Sequence, residues 1–153
     1  MLLQSHEIQE ILPHRPPFLF VDRVTEVVPD TSITAEHLVS HSSPILQGHF
    51  PGNPILPGVI QVEAMAQAAI VLAHQSGRFS ADKHHCFFMI IKEAKFRGPV
   101  VPGDVMRMEV KALRIGRYGR FEGQCFVGSD LKSHAVITAG FEPKATAETT
   151  EEG

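Results

Sequence analysis

The longest apolar segment of the chain runs from Val59 to Ala73. Three polar residues interrupt it: Gln61, Glu63 and Gln67. Pro57 suits a helix start, because its missing N–H would have no partner there, and Gly77 suits a left-handed helix end. The pattern predicts a helix from Pro57 to about Ser76, roughly 30 Å long. Because this helix is apolar nearly all round, we expect it to be wrapped by other elements in the core.

The C-terminal half of the chain changes to a period of two. Apolar and charged residues alternate from 105 to 113, which is typical of a strand with one solvent-exposed face. Further strands are predicted at 18–28, 32–39, 86–91, 121–127 and 134–141, with a hairpin turn at Gly128-Ser129-Asp130. A short helix is predicted over 5–12, capped by Ser5 and stopped by Pro13.

One apolar helix and several antiparallel strands predict an α+β layer fold. A single sheet covers a helix on one side, so the all-round apolar helix favours a dimer in which a partner subunit completes the enclosure. The 153 residues predict one domain over 1–143. The acidic, polar segment 144–153 predicts a disordered tail.

Composition narrows the functional classes. The net charge of −3 and pI near 6.3 argue against nucleic-acid binding. Cys86 and Cys125 make neither a metal cluster nor a disulfide framework, which favours a reducing cytoplasm. The N-terminus has no signal-peptide pattern. The apolar segment is shorter than the roughly 20 residues of a membrane span, so no membrane insertion is expected.

The connection from Ser40 to Leu56 is rich in proline and glycine, and loops of this length are usually functional. It contains His49, whose ordinary pKa lies close to working pH and suits a base. A lone histidine after a glycine is more often an ordinary loop residue. His49 becomes a candidate because it lies shortly before a helix start that carries two further groups suited to the same reaction.

That helix start contributes two further groups. Glu63 lies in the second turn among apolar residues, where burial raises the pKa of a carboxyl and favours the protonated acid. The Gly58 amide lies in the first turn, where N–H groups have no helical partner, and can donate to a carbonyl oxygen. With His49, these groups can remove a proton beside a carbonyl and expel a hydroxyl.

Residues 48–67, GHFPGNPILPGVIQVEAMAQ, closely resemble the signature of the (3R)-hydroxyacyl-acyl-carrier-protein dehydratases of type II fatty acid synthesis. Two other segments agree with the same family: ILPHRPPF at 11–18 and AKFR at 94–97, followed by PVVPGD at 99–104. Dehydratase-isomerases of a related branch carry aspartate at position 63, so Glu63 places the chain with the plain dehydratases.

The resemblance implies a hot-dog fold, in which an antiparallel sheet wraps a long central helix. It implies dimers, commonly three to a hexamer, with His49 of one subunit meeting Glu63 of the other. It also implies an oxyanion role for the Gly58 amide, a substrate on acyl carrier protein, and chemistry without metal or cofactor. Three sites depart from the family pattern, which predicts a reshaped acyl tunnel or tunnel mouth: Ile90, Lys92-Glu93 and Tyr118-Gly119.

Two alternatives remain open on these residues. A hot-dog acyl thioesterase would use the buried carboxyl to activate water, and a non-catalytic protein would only bind acyl chains. Four basic residues are candidates for a basic edge that steers the acidic carrier protein, although ordinary solvated strand faces explain them equally well. These residues are Lys92, Lys95, Arg97 and Arg107.

Overall fold

The computed structural model describes residues 2–145. Its elements are α1 (Ser5–Ile11), β1 (Arg23–Val28), β2 (Ser32–Leu38), α2 (Pro44–Gln47), α3 (Gly58–Gln75), β3 (His84–Phe96), β4 (Val105–Arg114), β5 (Tyr118–Val127) and β6 (Asp130–Pro143). The strands form one antiparallel sheet in the order β1-β2-β4-β5-β6-β3. Helix α3 contacts all six strands. The α+β architecture expected of a hot-dog fold is confirmed.

Helix α3 has the bounds that its sequence predicts, to within one residue at each end. Pro57 is the residue before the helix rather than its first residue, and Gly77 has a φ of 73° just beyond the end. Every residue from 60 to 73 is buried except Glu63, which is partly buried.

The chain itself buries most of this helix, so the apolar pattern of α3 does not by itself require a partner subunit. Besides the sheet, α3 contacts α1, and Gln67 bonds to the backbone of Phe18 and Phe20. The N-terminal segment therefore supplies the covering that the sequence assigned to a second subunit.

Helix α3 and the sheet approach each other closely at Gly123 in β5. A Cβ atom on Gly123 would lie 2.7 Å from the Met65 sulfur and 3.1 Å from the Met65 Cβ. Met65 is completely buried. The glycine is therefore required by the spacing between α3 and the sheet, since a side chain there would occupy the volume of Met65.

Strand β3 is much longer than its apolar run from 86 to 91 suggests. It lies at one edge of the sheet and pairs with β6 on its other side. Large apolar side chains are exposed along it: Phe87, Phe88, Met89, Ile90, Ile91 and Phe96. Edge strands of this length and character are templates for pairing with another chain.

Other differences from the sequence expectations are local. The first helix begins at Ser5, so Gln4 is the cap residue. The backbone N–H of Gln4 donates to the Glu7 carboxylate at 2.7 Å. Residues 18–22 precede β1 and are not part of a strand, and the 40–56 connection contains α2. Residues 146–153 of the predicted tail lie outside the described part. Among residues 2–145, no helix combines the length and apolar content needed to cross a membrane.

We predict that Gly123→Val destabilises the protein by about 1–3 kcal/mol, because the new side chain overpacks Met65. Urea unfolding measures the loss. Gly48→Ala is the matched control, since a Cβ atom there has no neighbour within 4 Å. Equal stability of both variants would contradict the close helix–sheet contact.

Candidate active site

The loop that carries His49 is held by backbone bonds on both sides of the ring. Phe50 and Asn53 exchange two backbone hydrogen bonds, of 3.1 and 2.9 Å, and Gly52 turns the chain with a φ of 73°. The Ile55 amide donates to the His49 carbonyl at 2.7 Å. This loop therefore fixes the backbone of His49 beside residue 55.

The same neighbour determines the tautomer of His49. Its Nδ1 lies 2.8 Å from the Ile55 carbonyl oxygen. Because a carbonyl oxygen can only accept, Nδ1 must carry the hydrogen in this contact. The lone pair of neutral His49 is therefore on Nε2, which is the form that a general base requires.

His49 and Gly58 line one hollow, together with Phe96 and Gln61. Gly58 is the first residue of α3, and a Cβ atom on it would lie 2.7 Å from two atoms of the Phe96 ring. Its N–H has no acceptor within the helix, because the first N–H groups of a helix have no partner in it. The hollow thus combines a proton acceptor with an amide donor that has no partner within its own helix.

Glu63 lines a different cavity, between α3 and the β3 end of the sheet. The space outside the atoms is about 390 Å³, part of it open to solvent. Apart from Glu63 and His14, its walls are mainly apolar or aromatic. They include Ala66, Ile70, Phe88 and Phe121.

The carboxyl of Glu63 is in a poor environment for a negative charge. Its side chain is 15% exposed. Burial raises the pKa of the Glu63 carboxyl, and a hydrogen bond from Gln67 opposes part of that rise. His14 Nε2 lies 3.6 Å from Glu63 Oε1. Burial, helped by the charge of Arg15, lowers the pKa of His14, so this ring supplies no cation near neutral pH. These conditions favour the protonated carboxyl.

Within one chain, the structure brings His49 and Gly58 together but leaves Glu63 in a separate cavity. The sequence predicts all three residues, the helix that carries Gly58 and Glu63, and the loop that carries His49. It did not single out Gln67 or His14, which contact the carboxyl. The spacing of Glu63 and Gln67, four residues apart on a helix, was a usable signal for the first contact.

One departure from the family pattern shapes the wall of the Glu63 cavity. A Cβ atom on Gly119 would lie 2.7 Å from the Cζ atom of Phe121, and Phe121 lines the cavity. The absence of a side chain at 119 therefore lets the Phe121 ring take its present position. An effect on the acyl tunnel stays a prediction.

The basic edge assembled from four residues does not form. Arg107 is on β4, which β5 and β6 separate from β3, the strand of Lys92 and Lys95. Arg107 also pairs with Glu109 at 3.3 Å and lies over the Phe126 ring. It therefore belongs to a different part of the sheet from the two lysines.

Comparison with known proteins identifies the family. The chain matches the FabA-like domain over residues 12–135. It is 47% identical over 138 residues to the 3-hydroxyacyl-[acyl-carrier-protein] dehydratase FabZ of Rhizorhabdus wittichii, covering 90% of this chain and 88% of that relative. The FabZ of Geotalea uraniireducens is 43% identical over 145 residues, covering 94% and 99%. The chain belongs to the FabZ dehydratase family.

Solved structures of less similar proteins confirm the fold. The dehydratase heterocomplex ApeI:P of Xenorhabdus doucetiae matches with a TM-score of 0.76 and 23% identity, over 90% of this chain and 91% of that one. A thioesterase of Pseudomonas aeruginosa matches with a TM-score of 0.59 and 16% identity, over 80% and 81%. Proteins named for different activities thus share this architecture, so function rests on the family and the site.

We predict that Glu63→Gln raises the melting temperature at pH 8 but not at pH 4. The pKa of Glu63 is higher in the folded state than in the unfolded chain, so wild-type stability falls as the pH rises through this range. Glutamine cannot ionise and escapes this loss. Calorimetry at both pH values tests the difference, with exposed Glu26→Gln as the control. A stability gain independent of pH would contradict the buried, un-ionised carboxyl.

Proposed function

We propose that the protein removes water reversibly from a (3R)-hydroxyacyl thioester on acyl carrier protein and forms the trans-2-enoyl product in fatty acid biosynthesis. The observation that carries this proposal is a sequence identity of 43–47%, over most of the chain, to relatives named as 3-hydroxyacyl-[acyl-carrier-protein] dehydratases. The enzyme is a hydro-lyase. The site geometry supports a role for each of three groups.

His49 is the base. Its Nε2 lone pair accepts the proton from the carbon next to the thioester carbonyl, while Nδ1–H stays bonded to the Ile55 carbonyl. The same bond stabilises the imidazolium after transfer, because a charged donor forms the stronger hydrogen bond.

The Gly58 amide stabilises the oxygen on which negative charge develops. It lies in the hollow of His49 and in the first turn of an 18-residue helix. Free N–H groups and the helix dipole both favour an anion at this end. A carbonyl oxygen bound there would place its neighbouring carbon within the same hollow as the base.

Glu63 is the acid. The C–O bond to the hydroxyl breaks as the double bond forms, and the Glu63 proton leaves with the hydroxyl as water. The enzyme then holds a proton on His49 and a carboxylate at Glu63. Return of one proton from the imidazolium to the carboxylate through solvent restores the starting state.

We infer that the working site is assembled by two subunits. One chain places His49 and Glu63 in separate cavities, whereas the reaction needs both groups on one substrate. The exposed apolar edge strand β3 is the surface that favours pairing with a second copy. In such a dimer, His49 of one subunit meets Glu63 of the other.

Several finer predictions belong to this proposal. The acyl carrier protein is the macromolecular partner, three dimers associate into a hexamer, and the enzyme acts in the cytoplasm. The domain boundary at residue 143 also stays a prediction, with residues 146–153 outside the described part.

The thioesterase and acyl-binding alternatives are distinguished by their products. Enoyl absorbance reports dehydration, free thiol reports thioester hydrolysis, and neither signal appears for a protein that only binds. Incubation with hydroxyacyl carriers of several chain lengths should give enoyl absorbance without free thiol. Thiol release as the main signal would overturn the proposal.

We predict that His49→Ala and Glu63→Gln each lower turnover by at least about 10²–10⁴-fold, the usual contribution of a general base or acid. Initial rates of enoyl formation measure the loss, and far-ultraviolet circular dichroism checks the fold. Wild-type-like rates in either variant would contradict the assigned role.

The shared site predicts complementation between these two inactive variants. A mixed dimer has one site with both intact groups, so subunit exchange should restore about a quarter of wild-type activity. Tagged subunits and native mass spectrometry establish that mixed dimers have formed. Mixed dimers without activity would contradict the division of His49 and Glu63 between subunits.

A further inference from the structure

The Glu63 carboxyl is anchored by a glutamine that the proposed mechanism does not use. Gln67 lies one turn further along α3 and is 0% exposed. Its Oε1 accepts from the Phe20 amide at 2.8 Å. Its Nε2 donates to the Phe18 carbonyl at 3.0 Å and to Glu63 Oε1 at 3.1 Å. Both side-chain amide hydrogens and its oxygen therefore have partners.

The two backbone contacts fix which way the Gln67 amide faces. The Phe20 N–H can only donate, so it requires the amide oxygen, and the Phe18 carbonyl can only accept, so it requires the amide nitrogen. The remaining hydrogen on that nitrogen points to Glu63. The amide could not rotate by half a turn without losing both backbone bonds.

This fixed donor distinguishes the two oxygens of Glu63. A protonated carboxyl has one carbonyl-like oxygen, which is the better acceptor, and one hydroxyl oxygen, which donates. Because Gln67 donates to Oε1, the carboxyl proton is favoured on Oε2. We propose that Gln67 is a positioning residue that holds the Glu63 carboxyl with its transferable proton on Oε2.

The segment 18–20 is part of this arrangement. Its backbone passes α3 without joining a strand, and its two bonds to Gln67 connect it to the acid. Among residues 2–145, the other titratable groups beside the carboxyl are His14, next to Arg15, and Cys86 on β3. Burial and the charge of Glu63 raise the pKa of Cys86 to about 12, so that thiol stays neutral.

This inference rests on the proposed acid role of Glu63, but the anchoring contact can be tested without activity. Gln67→Met keeps a long, unbranched side chain and removes the donor. We expect the pKa of Glu63 to rise in this variant, because the bond from Gln67 favours the ionised form. Carbon-13 NMR of labelled glutamate carboxyls measures that pKa directly in the intact protein.

The kinetic expectation has two parts that a general structural defect would not produce together. In Gln67→Met, kcat at the pH optimum falls by about 10–100-fold with little change in KM, because the acid loses its orientation. The alkaline limb of the profile also moves to higher pH, since Glu63 stays protonated longer. Mere loss of folded enzyme lowers the rate without moving the limb.

Gln61→Met is the matched control. Gln61 is 2% exposed on the same helix, and within residues 2–145 it makes no side-chain hydrogen bond to Glu63. We expect no change in the pKa of Glu63 in that variant. If Gln67→Met folds too poorly to assay, Gln67→Glu provides a second test. It keeps an acceptor for Phe20, places an acidic group beside Glu63, and should also raise the pKa of Glu63.

An unchanged or lowered pKa of Glu63 in the Gln67 variants would overturn the positioning role. So would an unshifted alkaline limb together with a wild-type rate. Failure of the dehydratase proposal has a different signature: the wild-type protein would not form enoyl product at any pH. The NMR measurement would still decide whether Gln67 orients the carboxyl.

Discussion

The burial of one carboxyl in the wall of α3 is the constraint on which the rest of the site depends. A negative charge on Glu63 would lose its hydration there. His14 is neutral near pH 7, so it supplies no positive charge to compensate for that loss. The helix can tolerate Glu63 mainly in its protonated form. The burial that makes a charge unfavourable here also raises the pKa of the Glu63 carboxyl, and a raised pKa is what an acid catalyst needs.

The surrounding structure holds this group in place from two directions. The close approach of α3 to β5 at Gly123 fixes the depth of the helix against the sheet. On another side, Gln67 connects the helix to the segment 18–20. The position of Glu63 is therefore set by packing and by a hydrogen bond from Gln67, which is itself held by the backbone of Phe18 and Phe20.

Most of the secondary structure was predictable because its signals are local. The alternation from 105 to 113, the Gly128 hairpin and the helix over α3 each follow from a period or a turn residue. The errors arose where tertiary contacts decide. Strand β3 extends to Phe96 because β6 offers backbone partners, whereas the backbone of Phe18 and Phe20 bonds to the Gln67 side chain instead of a strand. The enclosure of α3 by α1 depends on contacts distant in sequence.

The sequence by itself determined the fold class and the family. It also predicted the three candidate residues His49, Gly58 and Glu63, because a helix start and its neighbouring loop lie within one short segment. Only the tertiary structure decided the tautomer of His49, the neighbours of Glu63 and their separation into two cavities. Those properties depend on carbonyls, amides and apolar walls contributed by distant segments. Local periodicity carries no information about such distances.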